Sequence, residues 1–495
     1  MEKSRECLLN ILTFTLIYAL SGLVFADFAV AAEAAVHSHG AHNIGTELPV
    51  WTAVPFVGIL LSIALCPLLI PHFWHNHFGK ISAFWALLFA VPFLFTYHNI
   101  ALHHILHIYL IDYIPFIILL WGLFTIAGGI VVSGSLKGTP AVNTVMLLIG
   151  TILASCVGTT GAAMVMIRPV LRANRDRLKK THIVCFFIFL VANIGGSLTP
   201  LGDPPLFLGF LHNVPFFWVT TNLLPHMLTA SAILLVMFFI VDTFYYRREK
   251  DHVESGPEEE KTPLKIEGVV NFVFLLGVIG LVLMSGYWKP GHLSVVGVHL
   301  EYQSIVRDFG IITMGVLSLV VTSRRLREAN DFSWFPIAEV AKLFAGIFMT
   351  IIPALAILKA GNDGALSGLV LAVKESYHYF WVTGILSSFL DNAPTYLTFF
   401  NLALGKLGIT EAMVPGALAA KAVTANPEFI MYLKAISVGA VFMGANTYIG
   451  NAPNFMVKSI AEESGVTMPS FFGYMIKYSI PILAPVFLII TFIFF

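Results

Sequence analysis

The sequence predicts an all-α polytopic membrane protein of inverted-repeat architecture, with two re-entrant hairpins and two broken transmembrane helices. Three observations predict it. The chain is 57% hydrophobic and only 11% charged, against about 25% charged in ordinary soluble domains. Its mean hydropathy is +0.84, and apolar runs of about 18 residues or more recur along it. Two stretches half the chain apart read as copies of one device. Lys and Arg are spread very unevenly among the loops.

Residues 1–32 read as a signal peptide. Lys3 and Arg5 precede an apolar run over 8–25, and Ala29, Val30, Ala31 and Ala32 offer small residues for cleavage. An uncleaved first helix is the alternative. Residues 33–49 form a periplasmic tail holding His37, His39 and His42; nothing nearby completes a metal shell, so solvated histidines are expected. The cysteines Cys7, Cys66, Cys156 and Cys185 are scattered through apolar segments and suggest neither a metal site nor a disulfide framework.

The first half spans 50–246, with a hairpin over 140–170 and a broken helix over 182–218. A hydrophilic cytoplasmic linker over 247–265 carries Glu258, Glu259 and Glu260. The second half spans 266–495, with a hairpin over 376–404 and a broken helix over 431–460. Histidines 98, 103, 104 and 107 sit on an expected interfacial helix, and Asp242 is expected at the membrane interface.

The charges orient these pieces. Loop 168–180 holds Arg168, Arg172, Arg175, Arg177, Lys179 and Lys180; loop 247–265 holds five basic residues and loop 324–327 three. Loop 98–112 has no Lys or Arg, and loop 287–308 only Lys289 and Arg307. The positive-inside rule puts the basic loops in the cytoplasm. The first hairpin then enters from the cytoplasm, the second from outside, and the halves are inverted.

The copied device is the run 195–207 and its partner 443–455. Aligned without gaps at an offset of 248 residues, they share Gly196/Gly444, Thr199/Thr447, Gly202/Gly450, Pro205/Pro453 and Phe207/Phe455. Asp203 falls opposite Asn451, and in the hairpins Asp391 is set against Thr159. Matching interruptions in two halves of a membrane protein point to a transporter's binding site. Irregular backbone at membrane depth survives only where it is buried in protein or lines a wet cavity.

Ionisable residues inside the membrane are functional candidates by default. Asp391, beside Asn392, is the leading one, with Asp203 as second carboxylate or structural partner. Either could instead cap the helix that follows it. Thr159, Thr160, Ser197, Thr199, Thr395, Asn446, Thr447 and Asn451 supply further oxygens. Carboxylate, hydroxyl and amide oxygens suit a hard cation, so Na⁺ is expected at Asp391 and Asn392, with Asp203 as the further ligand. Desolvation favours the neutral acid, so H⁺ and Na⁺ or Li⁺ can compete for one carboxylate. No other cofactor is expected. The partners are small inorganic cations or small carboxylates and the lipid bilayer, with no nucleic acid.

These motifs resemble the ion transporter superfamily, which includes divalent anion/sodium symporters, arsenite permeases and NhaD-type Na⁺/H⁺ antiporters. The run from Gly195 to Pro205 and the sequence Asp391-Asn392-Ala393-Pro394 look most like the NhaD-like group, which also carries the description of citrate transporters. The resemblance covers roughly 50–495. It implies a scaffold and a transport domain in each protomer of a homodimer in the cell inner membrane, moving like an elevator. The symporters' Ser-Asn-Thr hairpin signature is absent; of it only Asn392 is retained. The expected function is therefore Na⁺(Li⁺)/H⁺ antiport, with Na⁺- or H⁺-coupled transport of citrate or a dicarboxylate as the alternative. An intramembrane enzyme is disfavoured, because His-Glu-x-x-His and Gly-x-Ser-x-Gly motifs are lacking.

Overall fold

A computed structural model describes residues 44–134, 136–249, 265–330, 332–419 and 422–495. The segment expected to be a signal peptide, the histidine-bearing part of the expected tail and most of the expected linker lie outside the described residues. Among those described, ten helices are long and apolar enough to cross a membrane. Among the described residues the fold is helical apart from two short antiparallel ribbons in connecting segments. Val131–Ser133 pairs with Lys265–Glu267, and His292–Val295 with Val298–Glu301.

The helices pack in two groups. The first comprises Val54–Leu69, Pro71–His107, Ile114–Ala127, Val270–Tyr287, Tyr302–Val321 and Phe335–Lys359. The second comprises the interrupted segments together with Phe216–Glu249 and Ile480–Phe494. Helix Phe335–Lys359 leans on Asn392–Leu407, and Ile114–Ala127 on Thr159–Ala173, which joins the groups.

The interruptions have local causes. The first hairpin is Pro140–Val157 followed by Thr159–Ala173. Thr139 caps its start by accepting from the Val142 amide at 3.3 Å, with Pro140 in the first turn. Gly158, at φ +81°, breaks it; that backbone conformation favours glycine. The second hairpin is Ser376–Phe389 followed by Asn392–Leu407. The first broken helix is Thr181–Leu190, a short 3₁₀ turn over Ile194–Leu198, then Pro204–Leu211. The second is Pro427–Met443, a turn over Gly444–Asn446, then Ala452–Glu463.

One hydrogen-bonding unit occurs in both halves. Thr199 Oγ1 donates to the Ser155 carbonyl at 2.5 Å, and Thr447 Oγ1 to the Ser388 carbonyl at 2.5 Å. Ser155 Oγ donates to the Gly195 carbonyl, and Ser388 Oγ to that of Met443. The hairpin residues correspond at an offset of 233 and the broken-helix residues at 248. At 233, Thr159 matches Asn392, and Asp391 matches Gly158. The expected pairing of Asp391 with Thr159 is therefore off by one residue, because Asp391 and Gly158 are both the residue just before the returning helix.

The outer histidines His103, His104 and His107 lie on the helical piece that follows a break at His98 (φ +44°) within Pro71–His107, and they are half-buried. Asp242 is fully buried in protein. It accepts from Arg177 at 2.7 Å, His182 at 2.9 Å and Asn143 at 2.9 Å, while Arg177 also meets Glu249 at 2.6 Å. Arg177 comes from the loop after Thr159–Ala173, His182 from Thr181–Leu190 and Asn143 from Pro140–Val157, and together they allow the acid to be buried.

Candidate functional site

The broken helices carry Asp203 and Asn451 at the same place, just before Pro204–Leu211 and Ala452–Glu463. Either side chain could cap its own helix, and neither does. They meet each other instead: Asn451 Nδ2 donates to Asp203 Oδ1 at 3.1 Å. The first residues of the two returning hairpin arms complete the arrangement. Thr159 Oγ1 donates to Asp203 Oδ1 at 3.0 Å, and Asn392 Nδ2 donates to Oδ2. The Thr159 amide donates to the Gly202 carbonyl at 2.8 Å. Asp203 is 1% exposed, Thr159 1%, Asn392 0% and Asn451 1%, so the carboxylate depends on these donors rather than on bulk water.

The site thus consists of two corresponding pairs, Asp203 with Asn451 and Thr159 with Asn392. One carboxylate stands among three neutral donors. Four helix N-termini converge on it, each with a partial positive charge. The Asn392 Oδ1 is buried and has no hydrogen-bond partner. An amide oxygen left in that condition beside a carboxylate is a ready ligand for a hard cation.

The backbone must come very close to itself for this. A methyl group on Gly202 would sit 2.1 Å from the Gly196 carbonyl oxygen, and one on Gly450 2.5 Å from that of Gly444. These are the glycines shared by the two copies. Beside Asp203 lies a cleft of about 20 Å³, lined by Thr159, Thr160, Pro204 and, from Ile114–Ala127, Leu119 and Leu123. That volume holds about one water-sized particle. The cleft opens along the boundary between the two helix groups.

The other expected residues are placed differently. Asp391 is half-buried and caps Asn392–Leu407, accepting from the Ala393 amide at 3.1 Å. Thr395 Oγ1 donates to the Asp391 carbonyl at 3.0 Å, and Ser197 Oγ to that of Ile194 at 2.8 Å. Thr199 and Thr447 hold the breaks together, and Asn446 donates to Ser388 Oγ at 2.9 Å. None of these bonds reaches Asp203.

Two asparagines of the network escape a reading of the motifs alone. Asn193 donates to Asn454 Oδ1 at 2.7 Å and to the Ile188 carbonyl at 2.8 Å. Asn454 donates to the Gly444 and Thr447 carbonyls, both at 2.8 Å. Asn193 stands just outside the copied run, and Asn454 faces Leu206 in the other copy, so neither has a repeated partner to mark it.

A second buried cluster ties the groups together away from the site. His212, in the loop after Pro204–Leu211, meets Asp112 at 2.8 Å and Glu411 at 3.0 Å. Glu411 also meets Lys359 at 2.6 Å. Burial alone would lower the His212 pKa, but the Asp112 and Glu411 carboxylates push it up to about 10.

Apolar helices interrupted in matching places, with the breaks meeting around a buried acid, define a multi-pass membrane protein of the transporter class. The particular family follows from comparison. The family model described as "Putative citrate transport" matches residues 45–495, and the chain belongs to that family. No curated protein matches the chain.

Proposed function

We propose that this protein is a secondary active transporter in which Asp203 carries a proton and a small hard cation, Na⁺ or Li⁺, in alternation. The observation that supports it is the composition of the site: one buried carboxylate, three neutral donors, an unpartnered amide oxygen and room for one small particle. Cation and proton cannot both occupy the carboxylate, so their competition couples two opposite fluxes once the site faces each side in turn. No Lys or Arg belongs to the cluster around Asp203.

The same reading makes the halves inverted repeats. The hairpin beginning at Pro140 enters from the cytoplasm and the one beginning at Ser376 from outside. The repeated Thr–Ser bonding unit supports the duplication, and the basic loops support the opposed orientations. Movement of the interrupted group against the first helix group would carry the cleft across the membrane, in a homodimer of the inner membrane. The Na⁺ site then centres on Asp203, Asn392, Thr159 and Asn451, with Asp391 holding the second hairpin tip in place.

A second reading has its own support. The family description is citrate transport, and four converging helix N-termini suit a carboxylate substrate. Here Asp203 binds the coupling ion, and the organic anion binds nearby when the groups separate. One assay divides the readings. Protein in vesicles with an imposed pH gradient receives Na⁺ or Li⁺, and in parallel labelled citrate. Antiport predicts collapse of the gradient by the cations without citrate uptake. Citrate accumulation, with the gradient indifferent to cations alone, would select the second reading.

A further inference from the structure

The boundary between the two helix groups differs along its length, and helix Ile114–Ala127 of the first group measures it. Phe116, Leu119, Leu120, Leu123 and Phe124 of this helix line the cleft beside Asp203. Asp112 stands just before the helix, in the π-helical turn Ile108–Tyr113 that runs into it. At a rise of about 1.5 Å per residue, roughly 6–18 Å separate Asp112 from that lining. At the Asp112 end the boundary is closed by charge. Asp112 meets His212 of the interrupted group at 2.8 Å, and Lys359, at the end of Phe335–Lys359, meets Glu411 in the short turn after Asn392–Leu407 at 2.6 Å. Each group presents one acid and one base, in opposite order, so both pairs cross the boundary. Within the interrupted group, His212 Nδ1 meets Glu411 Oε2 at 3.0 Å and Asn213 Nδ2 donates to the Glu411 carbonyl at 3.4 Å, which holds that half together. His107, on the kinked helix of the first group, lies close to both carboxylates. Next to Lys359 the groups also touch backbone to backbone. A methyl group on Gly405 would sit 2.2 Å from the Leu358 carbonyl oxygen, and one on Gly361, at φ +59°, 2.4 Å from that of Gly405.

Asp112 is 0% exposed and His212 5%. Parting such a pair strands a desolvated carboxylate, which is far more costly than parting an exposed pair. Lys359 and Glu411 are more open to solvent, so their contact contributes less. Residues 98–112 contain no Lys or Arg, which puts this end of the boundary on the outer side. We propose that Asp112, His212, Glu411 and Lys359 form the outer gate of the transport site, shut in this conformation, and that the cleft beside Asp203 opens towards the basic loops. The gate parts when Asp203 comes to face outward, and it holds the interrupted group in place until then. This rests on the reading of the protein as a transporter whose interrupted group moves against the first. It adds which residues hold that group and which side they close. A static staple would be buried in the same way but would never part, so the two differ in access to the cleft.

The test uses the full-length protein in membrane vesicles of both orientations, with Leu120→Cys as a reporter in the cleft and a membrane-impermeant thiol reagent. The same protein without that substitution gives the background from its own cysteines. With the gate residues intact, labelling should be faster from the face of the basic loops. Asp112→Asn combined with Lys359→Gln should raise labelling from the outer face about tenfold or more, because two lost charged contacts bias a two-state equilibrium by at least that factor. Arg324→Gln/Arg325→Gln, in a basic loop away from the gate, should leave it unchanged. If the gate variant does not fold, Lys359→Cys/Glu411→Cys joined by a short bifunctional thiol reagent should stop Na⁺-driven proton movement, and a reductant that cleaves the bridge should restore it. Faster labelling from the outer face in the intact protein, or transport that persists with the bridge in place, would overturn the gate. Labelling that shifts to the outer face with Na⁺ in the intact protein, but is no greater in the gate variant, would overturn the gate and leave the moving group standing. Labelling confined to one face in every variant and every ion would overturn both.

Discussion

Asp203 and Asp391 show how far residue type alone can be read. Both precede a half-helix, both were candidates for cap and for ion ligand, and neighbouring residues do not separate the two roles. The difference lies in where the side chains turn. Asp391 bonds the Ala393 amide of its own helix. Asp203 turns away from its helix and takes Thr159, Asn392 and Asn451 as partners, from three other segments. Contacts between residues 189 and 248 positions apart are visible only once the halves have docked. What the sequence does carry is the asymmetry of Asp203 against Asn451, but it offers Asp391 in the hairpin as a second acid, and only the packing separates the two. Thr159→Val should weaken apparent Na⁺ affinity about tenfold or more, since a hydrogen bond to a charged group contributes about 1.5–3 kcal/mol. The Na⁺ dependence of gradient collapse measures it; an unchanged half-saturation would remove Thr159 from the site.

At the scale of elements, the breaks were legible because Gly, Pro and polar residues stand out against apolar surroundings. Gly196, Gly202, Gly444 and Gly450 were marked by repetition, and their reason is steric. Gly202→Ala brings a methyl group 2.1 Å from the Gly196 carbonyl oxygen, and overpacking of this kind costs about 1–3 kcal/mol. Its melting temperature should fall, with Na⁺-dependent exchange falling as well; a variant of native stability would mean the crossing is looser than described. The Asp242 cluster was not legible, because Arg177 reads as one more positive loop residue until the loop folds back. Arg177→Met leaves Asp242 and Glu249 without their cation, and loss of one partner from a buried pair costs about 3–5 kcal/mol. Poor membrane yield or early melting is expected, and Asp242→Asn combined with Arg177→Met should restore part of the loss.

For the whole molecule, the loop charges are the basis of the proposed orientation of the halves, while the division into two helix groups needed the packing itself. The His212 cluster joins those groups through Asp112, Glu411 and Lys359. Its pKa of about 10 lies above the ordinary 6.5, so the raised value stabilises the folded state in full below about pH 6.5 and fades as pH rises towards 10. The melting difference between wild type and His212→Gln should therefore be largest near neutral pH and shrink on the alkaline side; a difference that grows with pH would contradict the assignment. A cysteine placed at Ser323, exposed after Tyr302–Val321, should react only with reagent on the cytoplasmic side, and labelling from outside would undo the inverted arrangement. The central claim is that Asp203 is the carboxylate at which cation and proton compete. The most direct measurement compares Asp203→Asn and Asp391→Asn in the same vesicles, by Na⁺-driven proton movement or, if citrate is the substrate, by cation-driven citrate uptake. Abolished transport in Asp203→Asn, with transport retained at reduced rate in Asp391→Asn, is the predicted result; substantial coupled transport in Asp203→Asn would contradict it.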